Sequence, residues 1–312
     1  MKNLSLTLST RQAWTIIAVS LFIGFLISTF WSASLVDSDI GDPIANTLLG
    51  FDAKETPISS SLVGVFFALA TGIAGTFTAC NICAFSAIAP LAAHKRSVGN
   101  VLKPLMWLSL GLILVAAVYG AVGALIGTDI PQLSNARLGD PETGLRVRLL
   151  QSMIVFCAIG LIYIVWGLMI LGILRNPFKG IAEKYSWAPS LFMGMTIGAF
   201  LIGRPFSLFR KMFEYAAETH NPLFGSLAFV LQGLGNILIM VALFLLLIYG
   251  TRSAFERWMT AKPNRAKKVT ATALLIAGAF FFSYWGPRML ARNDLLTWPF
   301  FDWDTHTIQV SR

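Results

Sequence analysis

Charge is what this 312-residue chain has least of: Asp, Glu, Lys and Arg make up 12% of it, against about 25% in a soluble domain. With 56% hydrophobic residues, that shortage excludes an ordinary soluble fold. The apolar runs are long and continuous, with none of the strict alternation a β-barrel needs, so a barrel is excluded too. Histidine and cysteine are equally rare, at three each. His94, His220 and His306 are scattered, and no zinc-type ligand cluster exists. There is no Gly-x-Ser-x-Gly, no Walker-type loop and no Cys-x-x-Cys-His haem motif. The missing phosphate loop argues against an internal ATPase. Energy or electrons must then come from a partner or a gradient, and no cofactor or metal is expected.

What is present is apolar sequence in seven stretches, at about 14–34, 61–93, 101–127, 149–174, 188–218 (interrupted), 225–249 and 269–287. The expected fold class is an all-α polytopic membrane protein with about seven transmembrane helices. The net charge of +9 would suit nucleic acid, but its distribution suits a bilayer. With the N-terminus placed in the cytoplasm, the cytoplasmic segments hold 14 Lys and Arg against 10 outside, and 2 acids against 13. Orientation follows Lys and Arg, and the run Lys262, Arg265, Lys267, Lys268 marks a cytoplasmic turn. No nucleic-acid partner is expected; the C-terminus falls outside. Residues 14–34 are longer than a usual signal-peptide core and read as a retained helix, although Ser32-Ala33-Ser34 would permit cleavage.

Three regions follow: an N-terminal anchor with an acidic, irregular loop (1–58), a six-helix core (59–290) and an external tail (291–312). The tail aromatics Trp298, Phe300, Phe301 and Trp303 suit a membrane interface. Within the core, Gly75-Thr76-Phe77-Thr78-Ala79-Cys80 lines up with Gly198-Ala199-Phe200-Leu201-Ile202-Gly203. Both segments are then interrupted, and each is followed by two more helices. Two three-helix units would thus enter the membrane from opposite sides, an inverted repeat whose matching breaks point to the working site.

The chemistry-bearing residues cluster at those breaks. A straight helix over 61–93 would reach roughly 50 Å across an apolar core of about 30 Å, so that stretch is tilted, bent or broken. It carries Cys80-Asn81-Ile82-Cys83 and Pro90. Two cysteines at this spacing suit thiol–disulfide exchange, one attacking and one resolving. They also suit a soft metal ion or simple packing. Cys157 sits mid-helix and reads as packing. In the second break, Pro205 interrupts a helix beside Gly203 and Arg204, and an ionisable group at membrane depth is a functional candidate. Arg210, Lys211 and Glu214 follow on an amphipathic piece that lies in the interface or lines a cavity. Gln232 and Asn236, four apart, share a helix face for interhelical hydrogen bonds or for lining a cavity. Gly111, Gly120, Gly123 and Gly127 suit close helix packing. Arg137, Arg146 and Arg148 belong to a polar external loop.

These features resemble the transmembrane domain of the CcdA/DsbD family of thiol–disulfide electron carriers. The points of similarity are the interrupted helix ending in Cys80, the basic turn His94-Lys95-Arg96, the second interruption at Gly203-Arg204-Pro205, and six core helices. The resemblance implies a multi-pass protein of the bacterial cytoplasmic (inner) membrane. It would pass reducing equivalents from a cytoplasmic thioredoxin-like protein to an extracytoplasmic thioredoxin-like or apocytochrome client, as in cytochrome c biogenesis, in the manner of a protein-disulfide reductase. Cys80 and Cys83 would be catalytic. The family uses one cysteine per repeat, and here Gly203 stands in the second cysteine's place. The alternatives on the same scaffold are a transporter for a small solute or soft metal, with Arg204 as an anion contact, and a non-catalytic assembly factor or subunit.

Overall fold

The computed structural model describes residues 9–77, 98–139, 144–250, 258, 261, 264–293, 295–302 and 307–310. Cys80, Cys83, Pro90 and the turn 94–96 lie outside the described residues.

Helix α1 (Thr10–Phe30) begins at Ser9, whose side chain accepts a hydrogen bond from the Gln12 N–H, the usual N-cap arrangement. The acidic segment beyond it is helical over residues 35–49 and irregular only over 50–60. A π-helical turn covers Leu35–Gly41. Then α2 (Asp42–Leu49) has a proline in its first turn and left-handed Gly50 at its end, as helix-terminus preferences require. Helix α3 (Ser61–Ala74) gives way to a 3-10 turn at Gly75–Phe77. Helix α4 (Val98–Ile126) follows, then a short hairpin of β1 (Arg137–Leu138) and β2 (Leu145–Arg146), then α5 (Val147–Leu171) and α6 (Lys179–Lys184). Helices α7 (Ala188–Gly203) and α8 (Ser207–Glu218) meet at 84°. After them come α9 (Pro222–Gly250), α10 (Arg265–Trp285), α11 (Pro287–Arg292) and a hairpin of β3 (Pro299–Asp302) and β4 (Thr307–Val310).

Among the described residues, five helical spans are long and apolar enough to cross a membrane, or six if α7 and α8 count as one bent span; α3 is apolar but shorter. Outward-facing Leu62, Phe66, Met106, Val118, Leu125, Ile154 and Leu246 are exposed. In water such a surface would be a liability; in lipid it is the solvated face. The chain is an all-α, multi-pass membrane protein.

The helices pack in the order α1, α10, α5, α7, α4, α9, α3. Small residues set the closeness of two of these interfaces. A Cβ on Gly194 of α7 would lie 1.9 Å from the Leu108 carbonyl oxygen of α4, and one on Gly120 of α4 would lie 2.3 Å from the Gly225 oxygen of α9. The packing reading of the α4 glycines therefore describes what Gly120 does. The tail is an ordered hairpin seated on α1: Trp298 meets Phe25 and Phe301 meets Phe30, both with ring centroids 5.6 Å apart.

Candidate functional site

The break between α7 and α8 follows from two residues. Pro205 has no N–H to continue the helix, and it pushes the preceding residue out of helical conformation. Arg204 accordingly sits at φ −76°, ψ 121°. Gly203, without a side chain, lets the end of α7 press on α5: a Cβ there would meet Phe156 and Val155 at 3.1 and 3.2 Å.

Breaking a helix in a membrane frees carbonyls that need donors. Two glutamines provide them. Gln132 Nε2 donates to the oxygens of Leu201 and Arg204 at 3.2 and 3.3 Å. Gln151 Nε2 donates to the Ile202 oxygen at 2.7 Å and to the Tyr119 hydroxyl at 3.0 Å. Tyr119 in turn donates to Gln132 Oε1 at 2.5 Å. Sequence reasoning missed all three residues. For Tyr119 and Gln151 the signal was there in outline, since polar side chains on apolar helices need partners; Gln132 lies in a turn, and the freed carbonyls are brought near only by the fold.

Arg204 is the centre of the arrangement. It is 3% exposed, and a buried charge needs compensation. Its Nη1 donates to Asn236 Oδ1 at 2.9 Å, and its Nη2 to the Gly75 carbonyl at 2.5 Å. The Phe209 ring lies beneath the guanidinium, 4.1 Å from Cζ to the ring centroid, a favourable cation–π geometry. Thr76 Oγ1 donates to the Asn236 carbonyl at 3.1 Å. The turn ending α3 and the break ending α7 therefore meet, and Arg204 is what joins them. Gln232 donates to Thr71 Oγ1 at 3.2 Å. Gln232 and Asn236 thus serve as interhelical partners and do not line the cavities described next.

Two cavities meet at Arg204 and Pro205, which line both. The larger, about 780 Å³, is walled by Arg137, Arg146, Arg148, Arg210 and Lys211, with Lys54 at its edge and Glu214 as the one carboxylate among the described residues that line it. The smaller, about 60 Å³, holds Asp37 among Trp31, Phe206, Tyr284 and Trp285. Burial pushes the Asp37 carboxyl up to about 6, an effect that attraction to Arg204 reduces and nearby Asp42 reinforces. Helix α8 forms one wall of the larger cavity. Its apolar face, Leu208, Phe209, Met212, Phe213, Ala216 and Ala217, is buried, which leaves Arg210, Lys211 and Glu214 to the cavity. Lys211 Nζ is held by the carbonyls of Ala53, Lys54 and Thr56 at 2.8, 2.7 and 2.7 Å, and Lys54 pairs with Asp42.

Cys157 donates weakly to the Phe282 carbonyl at 3.9 Å and packs beside Gly286. No group of three or more His, Cys, Asp or Glu able to hold a metal occurs among the described residues. No family model, curated protein or solved structure matches the chain.

Proposed function

We propose that this chain is a secondary carrier for a small anionic solute, with its working site at the paired helix breaks. The observation that carries the reading is Arg204. It is a buried cation at an 84° break, tied to the other interrupted segment at Gly75 and forming the partition between two cavities. An anion reaching Arg204 from the larger cavity competes for the donors now given to Gly75 and Asn236. Binding would loosen the contact between the two breaks, which is the differential interaction a conformational change requires.

The helix pairing supports an inverted repeat of α3–α4–α5 and α7–α9–α10, with α1 beside it as a seventh span. Helix α3 lies on α9 as α7 lies on α4, and α4–α9 and α5–α10 pair across the two units. In the carrier so read, the N-terminus is cytoplasmic and the larger cavity opens outside.

The test is flux. Purified protein in liposomes should take up one or more members of a panel of small anions, and Arg204→Gln should lower that uptake at least tenfold. Equal uptake by Arg204→Gln and the native chain, or no uptake across the panel, overturns the reading.

A second reading, thiol–disulfide exchange as in the CcdA/DsbD family, is favoured by one observation. The pair Cys80 and Cys83 begins three residues beyond Phe77, the end of the turn that Arg204 grips. It would carry reducing equivalents from a cytoplasmic thioredoxin-like protein to an extracytoplasmic client. Acid quenching and alkylation of intact membranes tests it. A Cys80–Cys83 disulfide that accumulates when thioredoxin is removed supports exchange; thiols reduced in both conditions overturn it.

A further inference from the structure

We infer that the larger cavity is a capture site for a multiply charged oxyanion of the phosphate or sulfate type. The inference rests on the carrier reading for what happens after capture, but the site stands on its own geometry.

The first observation is uncompensated charge. Arg146, Arg148 and Arg210 line the cavity, and none has a carboxylate partner among the described residues, whose ion pairs are Lys54–Asp42 and Lys179–Glu183. The second is convergence. Arg148 Nη1 and Arg210 Nη2 both donate to one oxygen, Asn135 Oδ1, at 3.0 and 3.5 Å. Two guanidinium groups thus converge on one neutral acceptor, and Arg210 Nη2 also reaches the Leu133 carbonyl at 3.5 Å. The third is a donor in waiting: the Nε of Arg210 is buried and has no hydrogen-bond partner. The fourth is the hairpin register, which sets Arg146 directly across from Arg137 and so gathers two more cations at the same cavity wall. The fifth is α8 itself. This twelve-residue helix has no side-chain cap, and its first residues, Ser207 and Leu208, line the cavity. Its positive end and free N–H groups add to the field.

These features select the charge and shape of the ligand. A planar guanidinium fork matches two oxygens of a tetrahedral oxyanion. Several forks around one space suit an anion with three or four oxygens and two or more charges. A halide offers one point of contact and one charge, which leaves most of these donors unmet. A cavity of about 780 Å³ is wide enough for such an anion with part of its water. The shared chemistry, a tetrahedral oxyanion with three or more free oxygens, belongs to free phosphate or sulfate and also to a lipid phosphomonoester such as phosphatidic acid.

The experiment is calorimetric titration of the full-length protein in nanodiscs. In discs of phosphatidylcholine alone, inorganic phosphate and sulfate should bind saturably, and chloride at matched ionic strength should not compete. The double variant Arg148→Gln/Arg210→Gln should weaken phosphate binding at least tenfold. The single variant Arg146→Gln, on the surface hairpin, should weaken it several-fold and guards against a folding failure of the double variant. Lys267→Gln, on α10 away from the cavity, should bind as the native chain does. Equal phosphate binding in discs containing phosphatidic acid identifies the free anion as the occupant. Loss of binding only in those discs identifies the lipid phosphate, and both results support the site. Absence of saturable binding in phosphatidylcholine discs, or binding unaltered in all the arginine variants, overturns it. Binding without flux in liposomes would retain the site and remove the carrier reading.

Discussion

Arg204 does two jobs at the scale of one side chain. It satisfies acceptors on two other segments, and it brings a positive charge to a cavity wall. Arg204→Ala would remove the hydrogen bonds to Asn236 Oδ1 and the Gly75 oxygen. A hydrogen bond to a charged group is worth roughly 1.5–3 kcal/mol, so a clear drop in the unfolding midpoint in detergent is expected. Arg204→Lys should recover part of the stability but less of the uptake, because one ammonium cannot reproduce the fork. Asp37 gives a pH signature. Its folded value of about 6 lies above the ordinary 3.8, so the neutral carboxyl is the form the fold prefers. Its favourable contribution is complete below about 4 and is lost as pH rises through about 6. A shift of that size corresponds to on the order of 3 kcal/mol. Asp37→Asn should therefore unfold at a higher temperature than the native chain at pH 8, and the gap should close towards pH 4. A gap that stays constant over that range would show that Asp37 titrates normally.

Among the elements, helix breaks and close interfaces were the most legible in sequence. Pro205 required a break, and the chain turns there because the residue before it is held extended. The glycines of α4 announced close approach, and Gly120 meets Gly225 across α9. Gly194→Ala is expected to destabilise the α4–α7 pair by about 1–3 kcal/mol, since the added methyl would collide with backbone; thermal unfolding measures it. The segment after α1 reads as an irregular loop because of its acids. Its first part is helical because Pro43 falls in a first helical turn, where proline is tolerated, and Gly50 closes the end; beyond it the chain is irregular as far as Ser60. The tail hairpin was not legible either: Trp298 and Phe301 suit an interface in isolation, but they pack on Phe25 and Phe30, which only the fold places there. Arg288 was missed for the same reason. Its guanidinium donates to the carbonyls of Ser28 and Trp31 at the end of α1, a bond between residues far apart in the chain. The basic residues of the candidate site were visible one by one. Their meeting in a single cavity was not, because it joins the loop after α2, the first hairpin and α8.

For the molecule as a whole, the charge pattern that suggested an orientation also shapes a field. Cations crowd the end of the bundle where the hairpin and α8 lie, and low-dielectric walls concentrate their potential. Capture of anions at low concentration should thus depend on ionic strength. Raising salt shortens the screening length from about 30 Å at 0.01 M to about 8 Å at 0.15 M. Initial uptake at subsaturating anion is expected to fall several-fold over that interval, while the saturated rate changes little. Equal sensitivity of both rates would place the salt effect on a later step.

One feature of the fold bears on leakage. Arg204, at the second break, holds Gly75 at the end of the first interrupted segment and Asn236 on α9 with the same guanidinium. In the proposed carrier, an anion that drew that guanidinium away would disturb both contacts in one event. Solute entry and loosening of the break would then be coupled, because the empty site keeps the guanidinium on its protein partners. A chain built this way should be tight when empty.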